Sequence, residues 1–209
     1  MSDPCTLNVG VPKGSVLGPI LFNLYTTPLY DICSKNQSCS GFYADDSQIY
    51  VICKLADVVQ HMSNIENCIS EIQDWMLSSR LKLNGDKTEL TIFRKPSVSR
   101  KCINFPPLVI SETEIEPQSC CRNLGSYFDQ HMSMDNHVKN ICKASYYHLK
   151  NISSIRPCLD IKTTESLVNA FIVTKIDFCN SLLFGITKAN IQKLQKLQNH
   201  AARVCLNLP

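Results

Sequence analysis

The chain has 209 residues, 44% of them hydrophobic, enough to bury the core of one domain, or of one domain with an appendage; a largely disordered chain is excluded. Twenty-one Lys and Arg against 18 Asp and Glu leave a formal charge of +3, which excludes a binder held to nucleic acid by bulk charge, so any phosphate-binding surface must be local. No stretch approaches the ~18 uncharged apolar residues of a membrane span, and no membrane partner is expected.

Residues 10–19, Gly-Val-Pro-Lys-Gly-Ser-Val-Leu-Gly-Pro, open with turn formers. Ile20, Leu21, Phe22, Leu24, Tyr25 and Leu29 then suit a largely buried helix, for which Ser15 can serve as a cap. From Gly41 to Ile52 two short β-prone runs are broken by Asp45 and Asp46, a hairpin pattern with the acids at its tip. Over residues 56–79, Val58, Met62, Ile65, Ile69, Ile72 and Met76 recur at spacings of four and three, the stripe of an amphipathic helix packed on one face. Asn84-Gly85 makes a turn, and a strand is expected near 88–93.

The polar stretch from Arg94 to Pro107, with three prolines, reads as a solvated loop. Short strands are expected near 108–110 and 123–128, and a helix beginning near Met134 with Val138, Ile141, Leu149 and Ile152 on its apolar side. Residues 161–183 read as one helical element. Thr187 caps another, with Ile191, Leu194, Leu197, Ala201 and Val204 as its stripe. The fold class is α+β: mixed to about residue 130, then mostly helical.

The twelve cysteines form no Cys-x-x-Cys pair, and Cys120, Cys121, His131, His137 and Cys142 fit no common zinc spacing. With Met1-Ser2-Asp3-Pro4 no signal peptide, they read as reduced thiols of an intracellular protein, structural or incidental.

Adjacent carboxylates at a hairpin tip carry the strongest chemical signal. Neighbouring strand side chains point to opposite faces, so one acid can face a site while the other supports it. Hard cations such as Mg²⁺ take one or two carboxylates plus substrate phosphates, an arrangement that serves phosphoryl transfer. Asp-Asp is also a common solvated turn pair, because Asp favours turns for backbone reasons.

The neighbouring segments decide between these readings. Tyr43-Ala44-Asp45-Asp46, preceded by Gly10-Val11-Pro12-Lys13-Gly14-Ser15-Val16-Leu17-Gly18-Pro19-Ile20-Leu21-Phe22, resembles two successive core motifs of the reverse transcriptases of non-LTR (LINE-type) retrotransposons. Trp75-Met76 through Leu81-Lys82-Leu83-Asn84-Gly85-Asp86-Lys87-Thr88-Glu89 and Phe93 is similar to the family's next palm motif, and Asn123-Leu124-Gly125 with Phe128-Asp129 to the segment beyond it. Ile176 to Gly185 and Leu194 to Arg203 resemble the helical region after the palm.

The resemblance implies a partial reverse transcriptase palm over 1–130, antiparallel strands packed on helices, followed by a helical thumb-like region over 131–209. It implies an RNA template, a DNA primer and dNTP as partners, and Mg²⁺ or Mn²⁺ held by Asp45 as principal ligand and Asp46 as supporting one. Gly10, Pro12, Lys13, Gly14 and Ser15 would line the template and nucleotide site, with Lys13 standing where the family usually carries Gln. Lys87 matches a cation near the leaving pyrophosphate, as proton donor or charge stabiliser, or is an exposed turn lysine. Tyr43 touches the primer or only packs.

The family's first catalytic motif, a strand with another metal-binding Asp, lies with the fingers N-terminal to the Gly-Val-Pro loop. Only residues 1–9 precede the loop here, and Asp3 has no apolar strand around it, so a chain inactive by itself is expected. The alternative is a non-enzymatic nucleic-acid-binding remnant, using Arg94, Lys95, Arg100, Lys101, Lys188, Lys193, Lys196 and Arg203.

Overall fold

The structure is a computed structural model that describes residues 14–96, 105, 107–110 and 113–208. It is a mixed α/β chain of short strand pairs and helices, arranged in two compact units: residues 1–88 with 106–116, and residues 89–105 with 117–209. Gly10, Pro12, Lys13, Arg100 and Lys101 of the sequence reading lie outside the described residues.

The first unit begins with helices α1 (Gly18–Tyr25) and α2 (Pro28–Lys35). Pro28, at the start of α2, fits the first turn, where a missing N–H costs nothing. The antiparallel hairpin β1 (Cys39–Tyr43) and β2 (Asp46–Tyr50) follows, then α3 (Val58–Ser78). The expected stripe on α3 holds, with Met62, Ile65, Ile69 and Ile72 buried. One core joins Leu29 and Cys33 of α2 to Cys68 and Ile72 of α3, and Phe42 and Ile49 of the hairpin pack against it.

Helix α1 departs from expectation: none of its residues is buried, and Leu17, Ile20, Leu21 and Leu24 stay exposed. The apolar run is split at Thr26-Thr27-Pro28, so Leu29 enters the core from α2 instead. Tyr25 anchors the end of α1: its hydroxyl donates to the Ser79 carbonyl at 2.8 Å and its ring lies 5.9 Å from that of Trp75. Ser15 accepts the Gly18 N–H at 3.0 Å, but the N-cap position of α1 is Leu17, which has no side-chain cap.

After α3 the chain passes through β3 (Leu90–Thr91), a short strand of the second unit, and returns for the hairpin β4 (Leu108–Ile110) and β5 (Thr113–Ile115). The Val109 N–H donates to Glu66 of α3 at 3.0 Å, fastening that hairpin to the first unit.

In the second unit β3 pairs in parallel with β6 (Pro117–Gln118), beside the hairpin β7 (Cys120–Asn123) and β8 (Ser126–Asp129). The single strand expected near 123–128 is therefore two strands around a turn. Leu124 and Gly125, with φ of 43° and 87°, take the paired left-handed conformation that closes a two-residue hairpin loop. A Cβ on Gly125 would also meet the Phe178 ring at 3.3 Å.

Helix α4 (Asp135–Ile155) starts where expected, followed by α5 (Ile161–Val168), a π-helical segment Asn169–Val173, α6 (Thr174–Asp177) and α7 (Lys188–Leu206). Asp160 caps α5 by accepting the Thr163 N–H at 2.6 Å, and Thr187 caps α7 through Asn190 N–H at 3.3 Å. The helix expected over 161–183 stops at Asp177, because Phe178 is extended and Cys179 left-handed. Ile141, Leu149, Ile152, Val168, Ile172, Ile176, Leu197, Ala201 and Val204 form one core; Ile191, expected in that stripe, is exposed.

Candidate active site at the acidic hairpin

Register decides where the acids point. Tyr43 pairs with Asp46, Gly41 with Gln48 and Cys39 with Tyr50, so these residues share the outer face of the hairpin, while Phe42 and Ile49 occupy the inner face. The inner face is held by the α2–α3 core, where the Phe42 ring meets Tyr30 edge-on at 4.7 Å. Ala44 and Asp45 form the loop, and Ala44 has a left-handed φ of 52°.

Asp45 therefore stands in the turn and Asp46 begins β2 on the outer face, directly across from Tyr43; all three are exposed. Among the described residues neither carboxylate has a hydrogen-bond or ion-pair partner, and no group of three or more His, Cys, Asp or Glu is placed to hold a metal ion. The two acids are thus free oxygen donors on a rigidly based tip, with substrate or further protein groups needed to complete a coordination sphere.

Of the remaining expected site residues, Gly14, Ser15 and Lys87 are described and lie in the same unit. Gly14 has a φ of +86° and open space where a side chain would start, so backbone there can be approached closely. Ser15 is half-buried and engaged with Gly18. Lys87 ends a 3-10 turn (Gly85–Lys87), is exposed, and makes no ion pair with Asp45 or Asp46. Sequence reasoning alone does not reveal Tyr30 beneath Phe42 or the strained Ala44; the latter has no Gly or Asn to announce a positive φ.

Of the basic residues, Arg94 is committed to the fold: its Nη2 donates to Gln130 Oε1 at 3.2 Å and its guanidinium lies 5.6 Å from the Phe105 ring centre. Lys193 donates to Asn190 Oδ1 at 2.9 Å, while Lys95, Lys188, Lys196 and Arg203 are exposed.

Residues 3–128, which include the acidic hairpin, match the family model for reverse transcriptase (RNA-dependent DNA polymerase). The chain belongs to this family. It is similar to a probable RNA-directed DNA polymerase from transposon BS of Drosophila melanogaster, 25% identical over 100% of this chain and 23% of the relative. It is similar also to the probable RNA-directed DNA polymerase from transposon X-element, 24% identical over 93% and 21%, and to the RNA-directed DNA polymerase from mobile element jockey, 23% identical over 93% and 21%, both of Drosophila melanogaster. The kinship with non-LTR, LINE-type elements read from the motifs is borne out. The chain spans a little over a fifth of the length of these relatives. No solved structure matches significantly. Reverse transcriptases as a family use a divalent metal, nucleic-acid template and primer, and nucleotide substrates. Among the described residues no helix is long and apolar enough to cross a membrane.

Proposed function

We propose that this chain is the acidic-hairpin part of an RNA-directed DNA polymerase, with residues 1–130 a partial palm and 131–209 a thumb-like helical region. The observation that carries the reading is a pair of exposed carboxylates, free of partners among the described residues, at a hairpin tip inside the matched segment 3–128. The donor set fits a hard divalent cation, because both groups are oxygen ligands without a competing cation on them among the described residues. When bound, Mg²⁺ or Mn²⁺ supplies charge neutralisation for phosphoryl transfer from dNTP to a DNA primer on an RNA template.

In this reading Asp45 is the principal ligand and Asp46 the supporting one, placed beside Tyr43 so that the phenol can touch the primer end. Gly10, Pro12, Lys13, Gly14 and Ser15 line the template and nucleotide side, and Lys87 stabilises charge near the pyrophosphate. Among the described residues no third carboxylate joins the pair, which makes a poor two-metal site, so extension by this chain alone is expected to be absent.

The test pairs Mn²⁺ binding, read by electron paramagnetic resonance, with primer extension on an RNA template, using the chain beside an Asp45→Ala, Asp46→Ala variant. Mn²⁺ held by the chain and lost in the variant is the expected result. Equal Mn²⁺ binding in both, or extension that survives the double substitution, removes the acids from the reading.

A further inference from the structure

The acidic hairpin is a sheet of two strands among the described residues. Two strands by themselves are marginally stable in water, so the direction of the hairpin is set by what its inner face rests on. Ser40 and Phe42 of β1 share that face with Ser47 and Ile49 of β2. The serines offer no apolar hold. Ile49 pairs with Ser40 in the half away from the loop, whereas Phe42 pairs with Ser47, next to the closing pair of Tyr43 and Asp46. Phe42 is therefore the apolar hold nearest the acids, and a loop of only Ala44 and Asp45 makes the tip follow its strands.

What Phe42 meets on its far side is Tyr30 of α2, ring edge to ring face at 4.7 Å and 88°. Helix α2 is itself fixed: Leu29, just before Tyr30, and Cys33, one turn after it, are fully buried in the core shared with α3. Tyr30 stands outside that core and is 48% exposed. A tyrosine serving only to fill the interior would be buried beside Leu29. This ring instead leans from a fixed helix onto the one apolar side chain near the hairpin tip, and an edge-to-face pair fixes the angle between two rings as well as their distance.

We propose that Tyr30 is the positioning residue of the acidic hairpin: acting through Phe42, it sets where Asp45 and Asp46 stand and so how well the pair holds a small divalent cation. The inference rests on the reading of the two acids as metal ligands and adds to it a residue that touches neither the metal nor the acids. Mg²⁺ demands oxygen ligands at about 2.0–2.1 Å in near-ideal octahedral geometry, whereas Ca²⁺ accepts about 2.3–2.6 Å in a flexible sphere. Loosening the tip should therefore penalise Mg²⁺ more than Ca²⁺, a selectivity that a loss of general stability would not produce.

The test uses the full chain with Mn²⁺ as the probe, read by electron paramagnetic resonance, and Mg²⁺ and Ca²⁺ as competitors. Tyr30→Leu is expected to weaken Mn²⁺ and Mg²⁺ binding about two- to tenfold, the scale of an aromatic edge pair, and Ca²⁺ binding less. Tyr30→Phe keeps the ring and is expected to bind as wild type does. In a Phe42→Leu background Tyr30→Leu is expected to add no further loss, because the two act through one contact. Amide exchange without metal is expected to accelerate at residues 43–47 in Tyr30→Leu and to stay unchanged at Ile69 and Ile72 of α3.

Mn²⁺ binding and tip exchange that are both unchanged in Tyr30→Leu overturn the inference and leave the acids as ligands. Acceleration that reaches Ile69 and Ile72 equally, with Mg²⁺ and Ca²⁺ weakened alike, makes Tyr30 a merely structural residue and overturns it as well. A wild type that holds Mn²⁺ no better than the Asp45→Ala, Asp46→Ala variant removes the metal reading, and exchange at residues 43–47 then still decides whether Tyr30 places the tip.

Discussion

The thiols of Cys33 and Cys68 face each other at 3.8 Å and fasten α2 to α3 beneath the acidic hairpin. Both side chains are fully buried. Burial, and then the neighbouring Cys33, push the Cys68 thiol up from the ordinary 9.0 to about 12. The unfolded chain ionises this thiol near 9.0, whereas the fold keeps it neutral. The contribution is therefore complete below about pH 9 and is lost as pH rises through about 12. Denaturant unfolding from pH 8 to 11 is expected to show wild type losing more stability than Cys68→Ala over that window; parallel losses would dismiss Cys68 as the source.

Ala44 is the one residue of the acidic loop with a left-handed φ, 52°. An L side chain there costs about 1–2 kcal/mol, while glycine gives back about 0.5–1 kcal/mol in unfolded-chain entropy. Ala44→Gly is thus expected to stabilise the first unit by about 0.5–1 kcal/mol, seen as a higher denaturant midpoint with unchanged slope. A lower midpoint would mean that the loop carries no such strain.

Elements were legible in the sequence where burial is periodic and hidden where one residue's conformation decides. Met62, Ile65, Ile69 and Ile72 announce α3 because one face alone is packed. The hairpin at Asp45 and Asp46 was legible because two β-prone runs flank a turn-former pair. The turn at Leu124-Gly125 and the stop at Cys179 were not, since neither Leu nor Cys signals a positive φ. The apolar run of α1 was misread for a different reason: hydrophobic composition asks for a partner but does not say that one is packed against it. At the site, spacing identified the acids, but only the strand register puts Tyr43 opposite Asp46.

His137 is 3% exposed, and its Nδ1 accepts the Tyr127 N–H at 3.4 Å, tying α4 to the β7–β8 hairpin. Burial lowers its pKa from the ordinary 6.5. The unfolded chain takes up a proton near 6.5 that the folded imidazole resists, so stability is complete above that pH and drains as pH falls below it. His137→Gln keeps an acceptor without titrating; its stability is expected to change less than wild type between pH 7 and 5. An identical acid profile in the two proteins would assign the loss to other groups.

Arg156 closes the far end of the helical unit. Its Nε donates to the Val204 carbonyl at 3.0 Å, one Nη to Cys205 at 3.0 Å and the other to Leu159 at 2.7 Å. The Val204 and Cys205 carbonyls lie in the last turn of α7, where the regular helical donors run out and the Asn207 N–H reaches Val204 at 3.3 Å. A planar fork satisfies carbonyls on two segments at once, and an ammonium has no such fixed geometry. Arg156→Met is expected to cost about 2–3 kcal/mol and Arg156→Lys about 1–2 kcal/mol, on the scale of hydrogen bonds made by a charged donor. Amide hydrogen exchange at residues 204–208 is expected to accelerate in both variants ahead of exchange at the Leu197 centre of the helix. Full recovery of stability by Arg156→Lys would show that charge at the C-terminus of α7, and not the fork, is what holds it.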